Sequence, residues 1–200
     1  MSKTYRREKQ HRKERTKILI VCEGEKTEPN YFKEFPVDKE IVNVDIKGDG
    51  KNTISLVKEA IDKKKKKEFE REPYNQVWCV FDKDDFSNSD FNNAIKIAKK
   101  EKINVAYSNE AFELWYYLHF NYTDSALHRR RYKSLLTREL KEKYQKNSPN
   151  MYKILRQHQD KAIKNAEELL IFQNCNQKSP ANSNPSTTVH NLIKQLNKFI

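Results

Sequence analysis

Glycine is scarce, three in 200 residues, and they assemble no Walker A loop, so phosphate-loop nucleotide hydrolysis is excluded for this chain. Cysteine is equally sparse: Cys22, Cys79 and Cys175 are odd in number, far apart and without a CxxC pair. That spacing excludes a disulfide framework and a cysteine-built zinc site, and it fits a reducing compartment. No apolar run approaches the roughly eighteen residues that a membrane span needs. The N-terminus is charged where a secretory signal would be apolar. These absences lead to the expectation of a soluble cytoplasmic protein with no membrane association. No segment repeats, and a chain of this length that is 36% hydrophobic is long enough for one domain with a core and gives little support for two.

What is abundant is charge. Lys, Arg, Asp and Glu make up 34% of the chain and leave a formal net charge of +12, which favours a polyanionic partner, nucleic acid first. Half of that excess sits in Met1–Lys17, where eight Lys or Arg face two Glu. Residues 1–16 are accordingly read as a disordered basic tail, either a solvated arm or one that finds phosphate through counterion release. Residues 17–200 are read as a single domain.

Along that domain, Lys17–Cys22 is a short β-branched run that predicts a buried strand. It is followed by a turn and a helix with Tyr31, Phe32 and Phe35 at helical spacing and Thr27 as the expected N-cap. Ile41–Ile46 alternates as a second strand, closed by Gly48, Asp49 and Gly50. Thr53–Phe69 is helical and ends in five lysines, Lys63–Lys67, read as a solvated helix end. Gln76–Phe81, "QVWCVF", is a continuous apolar strand of the parallel-sheet type. A helix over Phe91–Lys100 and a strand over Ile103–Tyr107 follow, then helices over Ala111–Phe120, Leu127–Tyr144 and Met151–Phe172. Gln173–Thr188 is a polar loop leading to a last helix, for which Ser186 or Thr187 is the expected cap, with a phosphate-facing terminus as the alternative. The alternation predicts an α/β fold, a doubly wound parallel sheet flanked by helices with a helical C-terminal extension.

In such a sheet, ligands bind beyond the carboxyl ends of the strands. Acids gather there: Glu23 after the first strand, Asp82, Asp84 and Asp85 after the third, and Glu110 and Glu113 after the fourth. Asp82 and Asp84, two apart, point to one side of an extended chain with Lys83 opposite. A Mg²⁺ ion takes carboxylate oxygens of this kind, and like charges held close without a cation would repel. Taken alone, "DKDD" is also good turn chemistry. Glu25 is read as a turn or surface residue.

The segments "IVCEGEKTEPNYF", "VFDKDD", "SNEAFELWYYLHF" and "NPSTTVHNL", in that order from about Lys17 to Leu196, resemble the RloB-like family of bacterial phage-defence, or abortive-infection, proteins. Beneath that they resemble the TOPRIM fold, with a Glu after the first strand and DxD after the third. The resemblance implies a Mg²⁺- or Mn²⁺-dependent nuclease acting on RNA such as tRNA or on DNA, with Glu23, Asp82 and Asp84 as metal ligands. It makes Glu28 a candidate for a second metal and Glu113 a residue that completes the catalytic set. Many RloB-like chains carry Pro where Glu110 stands, so Glu110 is left out of the expected site. The same resemblance implies a partner ATPase of the ABC or AAA kind, and a homo-oligomer is possible.

For the substrate backbone, Lys83 and the run "HRRRYK", with Arg129, Arg130 and Arg131, are the expected phosphate contacts, a solvated face being the alternative. His119 and His190 lie nearest the motifs. Trp115, Tyr116 and Phe120 are read as core in preference to base-stacking residues. A noncatalytic nucleic-acid-binding or adaptor module, and nucleotidyl transfer as in primases, are the competing functions.

Overall fold

A computed structural model describes residues 15–48, 50 and 52–200; the basic tail expected over residues 1–16 falls almost wholly outside the described residues. The chain forms an α/β sheet of five strands in the order β2-β1-β3-β4-β5. β1 (Thr16–Cys22), β2 (Val42–Gly48), β3 (Gln76–Asp82) and β4 (Asn104–Asn109) run parallel, and β5 (Ser186–Thr187) pairs antiparallel with the end of β4. β1 and β3 are central and covered on both faces, which is why both are continuous apolar runs without an alternating polar face.

Successive side chains of these strands feed two cores. Ile18, Ile20, Cys22, Trp78 and Val80 pack with α1 (Thr27–Lys33), α4 (Glu113–Leu118), α5 (Arg129–Leu140), α6 (Met151–Leu155), α7 (Gln159–Cys175) and α8 (Val189–Leu196). Leu19, Val21, Val77, Cys79 and Phe81 pack with α2 (Thr53–Phe69) and α3 (Asn88–Lys100). The three cysteines form no disulfide. Among the described residues no helix is long and apolar enough to cross a membrane.

Several boundaries differ from the sequence expectation, each for a local reason. Thr27 is the first helical residue of α1, not its cap, and its hydroxyl donates instead to Asn147 Oδ1 at 3.1 Å. The helix expected over Leu127–Tyr144 stops at Leu140, because Lys141 adopts a left-handed conformation (φ 58°) that ends it. The helix expected from Met151 is broken by a 3₁₀ turn at Arg156–His158. Ser186 and Thr187, expected as caps, form β5; the Thr187 hydroxyl lies 3.0 Å from the Tyr107 carbonyl and accepts the Val189 N–H at 3.3 Å, so it is already engaged.

Candidate functional site

Because β1 and β3 are hydrogen-bonded neighbours, the residues just past their carboxyl ends meet. Glu23 extends the ladder, its N–H donating to the Val80 carbonyl at 2.9 Å, and its Oε2 accepts the N–H of Asp82 at 3.0 Å. Asp82 closes β3; its Oδ2 accepts the Phe112 N–H at 3.1 Å, while its Oδ1 is buried without a partner among the described residues. Glu28, in the first turn of α1, is buried, and its Oε2 likewise has no partner among the described residues. Glu113, the first residue of α4, is buried; its Oε1 accepts the Tyr144 hydroxyl at 3.2 Å and lies 4.0 Å from the Lys146 ammonium. Gly24 makes this approach possible: a Cβ there would lie 2.0 Å from Glu28 Oε2.

The four carboxyls share one electrostatic environment. Burial, and then the charge of Glu28, push Glu23 up to about 7 against the lowering effect of the Asp82 N–H. Burial, followed by Glu113, pushes Glu28 up to about 7, with Lys146 acting in the opposite direction. Asp82 is raised well above the usual carboxylate range by burial and by Glu28, Glu113 and Glu23. Such a cluster is relieved either by protons or by a cation. The donor chemistry, carboxylate oxygens with two of them orphaned, fits a hard divalent ion. Among the described residues no three His, Cys, Asp or Glu side chains already converge as a chelate. The reason is visible in the bonding: Glu23, Asp82 and Glu113 each commit an oxygen to an N–H or O–H donor, and Asp84 is engaged elsewhere.

That engagement is with Arg129. Its guanidinium pairs with Asp84 and reaches Asp85 Oδ2 at 2.7 Å. The backbone N–H of Arg129, at the start of α5, donates to Glu110 Oε2 at 2.8 Å, and the Glu110 carbonyl accepts the Asp84 N–H at 3.0 Å. Glu110 therefore ties α5 to the DxD loop. A cleft of about 410 Å³ opens beside this network, its acidic lining Asp82, Asp84 and Glu113 and its basic lining Arg129, Arg130, Lys133 and Lys146.

Of the residues expected from sequence, Glu23, Glu28, Asp82 and Glu113 form one cluster, and Asp84, Arg129 and Arg130 join it at the cleft. Lys83 donates to the Phe86 carbonyl, and neither it nor the exposed Arg131 lines that cleft. Lys133 lies within "HRRRYK", four residues after Arg129, so helical spacing could have selected it. Tyr144, Gln145 and Lys146 follow α5 in a polar segment with no motif of its own. His119 is fully buried, its Nδ1 2.9 Å from the Trp115 carbonyl, and burial pulls it down to about 4. His190 is also buried and also pulled down to about 4. Trp115 and Tyr116 are fully buried in the core and Phe120 packs against it.

A family model described as RloB-like protein matches residues 18–196. No curated protein and no solved structure matches the chain.

Proposed function

The chain belongs to the RloB-like family, and on that premise we propose that it is a divalent-metal-dependent nuclease of the TOPRIM type that cleaves phosphodiesters of RNA, such as tRNA, or of DNA. The observation that carries this reading is the convergence of Glu23, Glu28, Asp82 and Glu113 beyond adjacent strands, with orphaned oxygens on Glu28 and Asp82, beside a cleft rich in Arg and Lys. A bound Mg²⁺ or Mn²⁺ would supply Lewis acidity and a polarised water at the scissile phosphate. Glu28 Oε2, Asp82 Oδ1 and the second oxygen of Glu23 are the donors for it, with Asp84 available once Arg129 lets go.

The chain's own residues do the rest. Arg130, Lys133 and Lys146 hold substrate phosphates in the cleft, and Arg129 joins them when its guanidinium exchanges Asp84 for a phosphate oxygen. Tyr144 orients Glu113 through its hydroxyl. By the same family resemblance the activity serves antiphage defence as an abortive-infection effector, with a partner ATPase of the ABC or AAA kind supplying the nucleotide hydrolysis for which this chain has no loop.

A second reading has one observation in its favour. With Arg129 occupying Asp84 and no ready-made chelate among the described residues, the chain could act as a noncatalytic nucleic-acid-binding adaptor. Incubating labelled tRNA, single-stranded DNA and plasmid with Mg²⁺ or Mn²⁺, with and without the partner ATPase, separates the two. The nuclease reading expects cutting that disappears in Glu23→Ala and Asp82→Ala. The adaptor reading expects no cutting and full protection of cells by both variants.

A further inference from the structure

The nuclease reading leaves a second cavity unused, on the side of the sheet that carries α2 and α3. It holds about 280 Å³ and is lined by Asn52, Thr53, Ile54, Ser55, Phe86 and Asp90. α2 is 17 residues long, and its first turn has no acidic residue of its own to offset the positive end. The first N–H groups of a helix have no acceptor within it. Asn52 Oδ1 accepts that of Ser55 at 3.0 Å, which leaves those of Thr53 and Ile54 without an acceptor among the described residues. Independently, Thr53 is 1% exposed and its Oγ1 is buried with no hydrogen-bond partner among the described residues. A buried hydroxyl left unpaired costs free energy that a ligand would recover.

The loop that follows β3 supplies the other components. Phe86 lines the cavity half-buried, and its carbonyl accepts from the Lys83 ammonium, which brings a cation to the same loop. Asp90 also lines the cavity, but its Oδ2 accepts the Ser87 hydroxyl at 2.8 Å and its N–H donates to Ser87 Oγ at 3.0 Å, so it serves α3. Two amides and a hydroxyl suit a phosphate, and an apolar ring suits the face of a base.

We propose that this cavity is a nucleotide subsite, in which the N-terminus of α2 takes the phosphate of a nucleoside monophosphate unit and Phe86 stacks on its base. The inference rests on the nucleic-acid reading above and extends it. The Gly50 N–H donates to the Glu23 main-chain carbonyl at 2.9 Å, so Gly50, two residues before Asn52, is tied to the backbone of Glu23, while Lys83–Phe86 follows directly from Asp82. The subsite thus flanks Glu23 and Asp82 on the side away from Arg129 and Arg130. A single strand lying in the cleft and crossing the carboxylates would set a neighbouring nucleotide here.

Thr53→Pro tests it with little disturbance. It removes one amide donor and the hydroxyl together, proline is well tolerated at the first helical position, and Asn52 (φ −66°, ψ 158°) already has the extended conformation a residue before proline requires. Phe86→Leu removes the ring. AMP titrated into isotope-labelled full-length protein without metal should shift the Thr53 and Ile54 amide resonances of the wild type, with affinity falling about fivefold or more in each variant. Fluorescence anisotropy with a short single-stranded RNA identifies the source. Loss of RNA affinity alongside AMP marks a unit of a strand, and loss of AMP affinity alone marks a free nucleotide; either supports the subsite. Absence of an AMP shift at α2, or equal AMP affinity in wild type and both variants, overturns it. Neither AMP result depends on cleavage, so failure of the nuclease reading would be seen separately.

Discussion

Gly24 and Glu28 illustrate how tightly single residues constrain this site. Any side chain at residue 24 would meet the Glu28 carboxylate at 2.0 Å, so Gly24→Ala must expel Glu28 or shift α1. We expect it to cost about 1–3 kcal/mol in a urea titration, with weakened metal binding; unchanged stability would show that the approach is not needed. The carboxylates set the pH behaviour. Glu23 and Glu28 are raised from 4.5 to about 7, so the folded chain binds more protons than the unfolded one between those values, and metal-free stability falls as pH rises through that window. His119, lowered from 6.5 to about 4, acts oppositely, its contribution being full above 6.5 and lost as pH falls toward 4. Asp82→Asn should therefore raise the melting temperature of the metal-free protein above neutral pH, while Mn²⁺ should raise that of the wild type only. Mn²⁺ stabilisation of both alike would place the ion elsewhere. Arg129→Ala, by freeing Asp84, should tighten Mn²⁺ binding severalfold in a calorimetric titration and weaken RNA binding; weaker binding of both would mean that Arg129 only supports the loop.

At the scale of elements, the ends of helices carry the informative detail. Lys141 ends α5 at φ 58°, a conformation glycine adopts without strain. Lys141→Gly should gain roughly 0.5–1 kcal/mol in thermal unfolding, and a loss would mean that the lysine side chain contributes more than its backbone costs. The strands were legible because β1 and β3 are buried on both faces and so read as unbroken apolar runs. β5 was not, because two residues in a polar segment, Ser186 and Thr187, show no periodicity and pair with β4 only through tertiary contact. The same limit hid the interruption at Arg156–His158, where helical spacing continues across the break. Glu110 shows a third case: its carboxylate serves the start of α5, nineteen residues away, a partnership that no local pattern encodes.

For the whole molecule, order along the sheet explains what sequence could reach. Glu23 and Asp82 are 59 positions apart, and only the adjacency of β1 and β3 brings them to hydrogen-bonding distance. The rule that ligands bind beyond strand ends locates them; the Arg129–Asp84 pair and the contribution of Lys146 arise only from tertiary packing. The net charge of +12 predicts steep salt dependence of nucleic-acid binding, and removal of Met1–Glu14 should lower the slope of log affinity against log salt. The claim on which the rest depends is that the carboxylate cluster holds a divalent ion. Mn²⁺ binding followed by electron paramagnetic resonance at about pH 8, above the values of about 7 to which Glu23 and Glu28 are raised, tests it most directly. The wild type should show saturable binding that weakens at least about tenfold in Asp82→Asn. Binding that Asp82→Asn leaves unchanged, or none in the wild type with or without nucleic acid, would contradict it.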